Sequence, residues 1–486
     1  MKRLLLCLIL GGCMVGPNYK PPENTVSDQW KSLSNTSFAE EQPLTDWWKH
    51  FEDPLLDTYM EMAALHNKEI LVAEANILQA RALRMVAASS FYPQIESNIN
   101  GTKTYFSKNG PVFAGNSLTQ GPSATTGLPF QIQIPQIQPL YNALIDASWE
   151  IDLFGKTRRT VQMANANYES TIETRNDILV SILAEIAMNY MELRKSQKNA
   201  ELIQNKITLT EKEEKLSRKR FKKGFTNKID LETIQAKLAS IQAELPNVTA
   251  EIYRSIYTLS VLTGNPPETL VEQLLQANPL PKPPKTIAIG IRSDLLRRRP
   301  DIRRTERQLA MATANVGVAV ASFFPSVVLS ADAGLQSLKL SNLFNMQSKT
   351  WDFGGNIGIP IFQGGSLVGN LRSAEAATNA AAYTYQETIL KALQETETAL
   401  IAYSEDQKKE RDLFHNTEHL RTIKELTNKR YKKGLSNLLD LIEAERALIL
   451  SEQNLLTSEL RTLLDLITLY KALGGGWQPD NMLQTL

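Results

Sequence analysis

Cysteine is nearly absent, with two in 486 residues, Cys7 and Cys13. That rules out a disulfide framework. Histidine is scarce too, and the four residues are His50, His66, His415 and His419. His415 and His419 are spaced i, i+4, but His-Asn-Thr-Glu-His lacks the glutamate placement of a zinc protease. A solvated helical face is the expected reading. No serine nucleophile elbow, Walker loop or dinucleotide loop occurs, and Gly474-Gly475-Gly476 ends a helix rather than cradling a phosphate. These absences argue against an enzyme, and neither a cofactor nor a metal is expected. No apolar run of roughly 18 residues follows the N-terminus, so no membrane-spanning helix is expected. Net charge is nearly nil, with 53 Lys plus Arg against 52 Asp plus Glu. No basic patch with interleaved aromatics points to nucleic acid. Apolar residues at 42% and charged residues at 22% describe a folded chain.

The N-terminus reads differently. Lys2 and Arg3 precede an apolar core, Leu4 to Leu10, and then Leu10-Gly11-Gly12-Cys13. Small residues before a cut site mark a signal peptide, here 1–12. The cysteine that follows resembles the lipobox of bacterial lipoproteins, which implies a mature chain starting at a lipidated Cys13. Met14 stands where, by the rules of that class, an aspartate would retain the chain in the inner membrane. Residues 13–49 then read as an extended, lipidated arm.

Past residue 50 the chain is one unit written twice. Lys219-Arg220-Phe221-Lys222-Lys223-Gly224 recurs 210 residues on as Lys429-Arg430-Tyr431-Lys432-Lys433-Gly434. Asn227 and Asp230 recur at the same shift as Asn437 and Asp440. Phe91-Tyr92-Pro93 recurs 232 residues on as Phe323-Phe324-Pro325. The repeats span 50–265 and 291–473, joined by a Pro-rich connector over 266–290 and followed by a tail, 474–486.

Each repeat predicts helix, strand, strand, helix, helix. Segments 94–106, 143–153, 326–336 and 351–361 alternate with period two. In 143–153, Ile145, Trp149, Ile151 and Leu153 oppose Asp146, Glu150 and Asp152. In 351–361, Trp351, Phe353, Ile357, Ile359 and Ile361 oppose Asp352 and Asn356. The lengths suit tilted strands crossing a bilayer, which need ~9–11 residues; a soluble sheet alternates as well. Between Gly155 and Gly224, and between Gly365 and Gly434, nothing but Gly369 interrupts, so each stretch predicts a helix of roughly 100 Å. Ile234, Leu238, Ile241, Leu245, Val248 and Ile252 give a coiled-coil seam, with a kink expected at Pro246. A shorter helix, about 67–91 or 300–323, stacked end to end on the second helix of its repeat would match one long helix.

Four strands cannot close a membrane barrel, for which eight is the practical minimum, and lipid does not tolerate open edges. Several copies must therefore contribute, and physics alone does not choose between two and three. Here the motifs become specific. Trp149-Glu150-Ile151-Asp152-Leu153-Phe154-Gly155, Asp294 through Ile302, Phe323-Phe324-Pro325-Ser326 and Ile359-Pro360-Ile361-Phe362 stand in order with Lys429-Arg430-Tyr431, Gly434 and Leu469 through Trp477. The chain resembles the TolC-like outer-membrane efflux family, lipoprotein branch, over nearly its whole length. The resemblance implies a mainly α fold with membrane β: a homotrimer forming a helical barrel of long antiparallel coiled coils and a twelve-stranded β-barrel. It also implies a periplasmic adaptor and an inner-membrane efflux transporter as partners, and passive conduction of drugs or small solutes.

In that family, acids just past the second helix turn narrow the periplasmic entrance. The matching residues are Asp440 and Glu443, spaced i, i+3 on one face; acids in a first helical turn also simply suit the dipole. Lys222, Lys223 and Gly224 at one turn, and Lys432, Lys433 and Gly434 at the other, are candidate adaptor contacts, though cations suit helix C-termini in any case. Arg297-Arg298-Arg299 reads as a structural or solvated run. Two other readings stay open: the same duct serving type I protein secretion, and a periplasmic coiled-coil scaffold without a pore.

Overall fold

The computed structural model describes residues 14–22, 30, 38–39, 45–110, 135–284 and 286–477. The expected signal peptide 1–12, Cys13, most of the expected arm 13–49, most of the long connection between the first two strands and the tail beyond Trp477 lie outside these described residues. Helices α1 (Pro54–His66) and α2 (Lys68–Ser89) lead to strands β1 (Gln94–Tyr105) and β2 (Ile137–Ile151). Then come α3 (Lys156–Lys222) and α4 (Lys228–Leu262). The second passage is α5 (Pro300–Ala321), β3 (Ser326–Ser337), β4 (Lys349–Gly358), α6 (Ser366–Lys432) and α7 (Leu438–Ala472).

The described residues divide into two compact units, neither of which coincides with one of the expected repeats. One holds residues 1–20, 81–166 and 310–379, and with them the sheet. The other holds 21–80, 167–309 and 380–486. The sheet is four-stranded and antiparallel in the order β1-β2-β3-β4. The second unit is helical, and its core gathers Trp47, Leu56, Tyr59, Tyr190, Tyr403, Leu466 and Tyr470. Trp47 stacks on Tyr470 at 5.1 Å between ring centroids.

Both α3 and α6 run 67 residues, and both α4 and α7 run 35. Their ends are set by glycine. Gly224 and Gly434 adopt φ of +74° and +75°, the left-handed region that stops a helix at little steric cost. Pro246 sits inside a continuous α4, and Gly369 inside a continuous α6.

Hydrogen bonds join helix ends in both passages. A helix end leaves backbone groups without partners. Asn67 is buried where α4 ends and α2 begins. Its amide donates to Leu262 O at 2.8 Å, while its Oδ1 accepts from Glu69 N at 2.9 Å and Ile70 N at 3.3 Å. Where α7 meets α5, buried Arg299 donates to Ala472 O at 3.1 Å and pairs with Asp301 and Glu395. Of the arginine run, Arg299 is thus a structural joint.

Several strand ends differ from expectation, and β2 begins at Ile137, ahead of the alternating segment 143–153. β2 ends at Ile151, and Asp152 serves the next helix: its carboxylate accepts from Thr157 N at 3.1 Å and Arg158 N at 3.0 Å. Leu153 is therefore not a strand residue. β4 ends at Gly358, so Ile359 and Ile361 lie beyond it. They flank Pro360, which has no N–H to continue a ladder.

Candidate functional site

The sheet has two chemically opposite faces, and strand register fixes them. Ile145 lies opposite Ala333, Ala147 opposite Ile95 and Ala331, and Ala333 opposite Trp351. Among the described residues nothing covers this apolar face: Ile95 is 67% exposed, Ile99 79%, Trp351 77% and Phe353 70%. A soluble sheet buries such a face.

On the other face the alternate positions carry mostly Gln, Glu, Asn, Thr, Ser and Asp, and no Lys or Arg. One row crosses all four strands: Glu96 faces Asp146, Asp146 faces Asp332, and Asp332 faces Asp352. Like charges directly opposite each other destabilise a sheet. Asn98 Nδ2 relieves one of them by donating to Asp146 at 2.7 Å. Alternation reveals the face of a residue but not its cross-strand neighbour, so sequence reasoning missed the row.

At the turns of Gly224 and Gly434, each chain reversal is closed by the same bonds. Phe225 N donates to Arg220 O at 2.9 Å, and Leu435 N to Arg430 O at 3.0 Å. Asn227 caps α4 through Asp230 N at 2.8 Å. Asn437 and Asp440 cap α7 reciprocally, at 2.8 Å and 3.1 Å, in a capping box. Asp440 is therefore tied to the helix start. Glu443 is exposed and forms no ion pair among the described residues. Lys222, Lys223, Lys432 and Lys433 are all exposed.

The two turns share a cavity of ≈ 750 Å³ lined by Arg220, Phe225, Asp230, Tyr431, Lys432 and Gly434 among others. Asp440 and Glu443 are not among its lining residues. Two cross-links that sequence reasoning missed join the hairpins here. Arg220 Nη1 donates to Tyr431 OH at 2.5 Å, and its Cζ lies 5.5 Å from that ring's centroid. Lys237 on α4 sits between Glu213 of α3 at 3.2 Å and Glu445 of α7 at 2.6 Å. Burial pushes Glu213's carboxyl up to about 7; the nearby Glu445 adds to the rise and Lys237 opposes it. Burial works to lower Lys237, but Glu445 and Glu213 outweigh it and its pKa is raised. A signal was available: at the repeat's own shift, Glu213, Lys237 and Glu445 correspond to Ile423, Ala447 and Gln235. The triad is a feature of asymmetry between the halves.

Comparison with known proteins bears on both surfaces. The family model for outer membrane efflux proteins matches residues 59–265 and 291–475. ArpC, an antibiotic efflux pump outer membrane protein of Pseudomonas putida, is 29% identical over 479 residues, covering 96% of this chain and 94% of its own. TtgC, a toluene efflux pump outer membrane protein of the same species, is similar to the same extent. Among solved structures, the outer-membrane channel OprN superposes with a TM-score of 0.86 at 30% identity, over 96% of this chain and all of that one.

Proposed function

The chain belongs to the outer membrane efflux protein family, and from that premise we propose that three copies close into the exit channel of a tripartite efflux pump. Their sheets form one twelve-stranded barrel and their long helices a periplasmic duct. The channel conducts antibiotics, solvents or other small solutes passively, without catalysis. A periplasmic adaptor and an inner-membrane transporter deliver them. The two tandem halves, 50–265 and 291–473, build this wall twice per chain around the connector 266–290. Residues 1–12 direct export, and Cys13 carries lipid at the head of the arm 13–49.

One observation carries the reading: among the described residues, an open four-stranded sheet has a bare apolar face and two unpaired edges, β1 and β4. Water disfavours that face, and lipid disfavours those edges until neighbouring chains pair with them. Small solutes are favoured as cargo by relatives named for antibiotic and toluene efflux. At the tip, Asp440 and Glu443 narrow the entrance, and Lys222, Lys223 and Gly224 with Lys432, Lys433 and Gly434 meet the adaptor.

Recordings of the purified protein in a planar bilayer test the proposal. Discrete conductance steps are expected, small with the tip closed and blocked by multivalent cations from the periplasmic side. A protein that inserts without conducting would contradict it.

A further inference from the structure

A short strap, Met14 to Asn18, is held by a receptor that the efflux function does not explain. Arg159, near the start of α3, is 2% exposed. Its Nε donates to Val15 O at 3.1 Å, and its Nη2 to Gly16 O at 2.9 Å and Asn18 Oδ1 at 3.0 Å. Its Nη1 donates to Gln162 Oε1 at 3.0 Å. These four partners are neutral oxygens, three of them on the strap. A buried guanidinium needs such partners, and losing them leaves a charge without compensation. Val15 N in turn donates to Phe154 O at 3.1 Å.

Three glycines make the room. A Cβ on Gly16, which has φ +82°, would lie 2.7 Å from Gly317 Cα. One on Gly317 would lie 2.6 Å from Arg159 Cδ, and one on Gly155 2.7 Å from Met14 Cγ. Gly317 stands inside α5, where glycine is unfavourable beside alanine. Strap, α3 and α5 thus meet at a point from which side chains have been removed. The point lies at the corner after β2, where Phe154 stacks on Phe324 at 4.8 Å.

We propose that Arg159, with Gly155 and Gly317, is a receptor that fixes the strap, and so sets where the acyl chains on Cys13 enter the bilayer: beside the ends of the membrane strands. The inference rests on the lipidation reading, because Met14 is covalently next to Cys13. Arg159 acts here as a positioning residue. It leaves the anchor one peptide bond from a fixed corner, instead of at the end of a free arm.

Hydrogen-exchange mass spectrometry of the full lipoprotein in lipid tests this. In the wild type the Val15 amide should be protected. Arg159→Ala should speed exchange in residues 14–19 by roughly tenfold or more, the scale of a lost hydrogen bond to a charged group, with the strands unaffected. Gly317→Ala should do the same by crowding Arg159, and Asn18→Ala should act in the same direction should Arg159→Ala not fold. Arg159→Lys should restore protection in part, since an ammonium lacks the planar fork. A spin label on Lys20→Cys should be immobile in the wild type and mobile in Arg159→Ala. Unchanged exchange and label mobility in all the variants would overturn the receptor. Intact mass separates the lipid half: an unmodified Cys13 would overturn the anchor placement even where the strap stays protected.

Discussion

Lys237 stands between two carboxylates drawn from different hairpins, and the raised Glu213 makes that contact sensitive to pH. The ordinary value of Glu213 is 4.5, and in the clasped form it is about 7. Below the lower value the carboxyl is protonated in clasped and separated forms alike, and gives no preference. Between the two, the clasped form keeps a proton that a hydrated carboxyl has released, so rising pH favours separation, by about tenfold per unit of difference. Asp465, pushed up to about 7 by burial and by Asp406, weakens the helical unit in the same direction. Label distances between the hairpins should therefore lengthen between about pH 5 and pH 7. Glu213→Gln should flatten that response, and a distance that ignores pH in the wild type would refute it. The two acids proposed for the gate, Asp440 and Glu443, divide by their bonds. Asp440→Ala should cost about 1 kcal/mol of cap stability, whereas Glu443→Ala should leave stability alone and weaken block by a trivalent cation. Equal blocker affinity in wild type and Glu443→Ala would remove Glu443 from the gate.

At the scale of elements, the strands and helices invite different substitutions. Arginine at Ile145 or Phe353 places a charge on the bare apolar face, at ~2–4 kcal/mol per copy near mid-bilayer. Assembled protein recovered from the outer membrane should fall sharply, and normal recovery would mean the face does not meet lipid. Asp332→Asn with Asp352→Asn should lower the channel's cation preference, read as a shift in reversal potential. At the α4–α2 joint, Asn67→Ala removes a cap and strands a buried carbonyl, so thermal unfolding should report a loss of about 2–3 kcal/mol. The long helices were legible because Gly224 and Gly434 punctuate an otherwise unbroken pattern. Strand ends were less so. Asp152 continues the alternation by residue type while its carboxylate caps α3, and Ile359 and Ile361 continue it across a proline that ends the ladder. The joints at Asn67 and Arg299 were foreseen as a match of lengths, but their bonds span 195 and 173 residues, beyond any local pattern.

For the whole molecule, the single chain leaves its sheet unfinished in three respects. Among the described residues its sheet has two free edges, its apolar face is bare, and the polar face bears one row of acids with no Lys or Arg on that face. Each of these becomes reasonable once the sheet closes around water with lipid outside. Four strands from each of two chains would already meet the minimum of about eight for a membrane barrel, so copy number is the point at which physics is silent and family likeness speaks. Native mass spectrometry of the protein released from lipid nanodiscs measures it directly. The account predicts one species at three times the mass of the mature chain; a stable monomer or dimer as the sole species would contradict it.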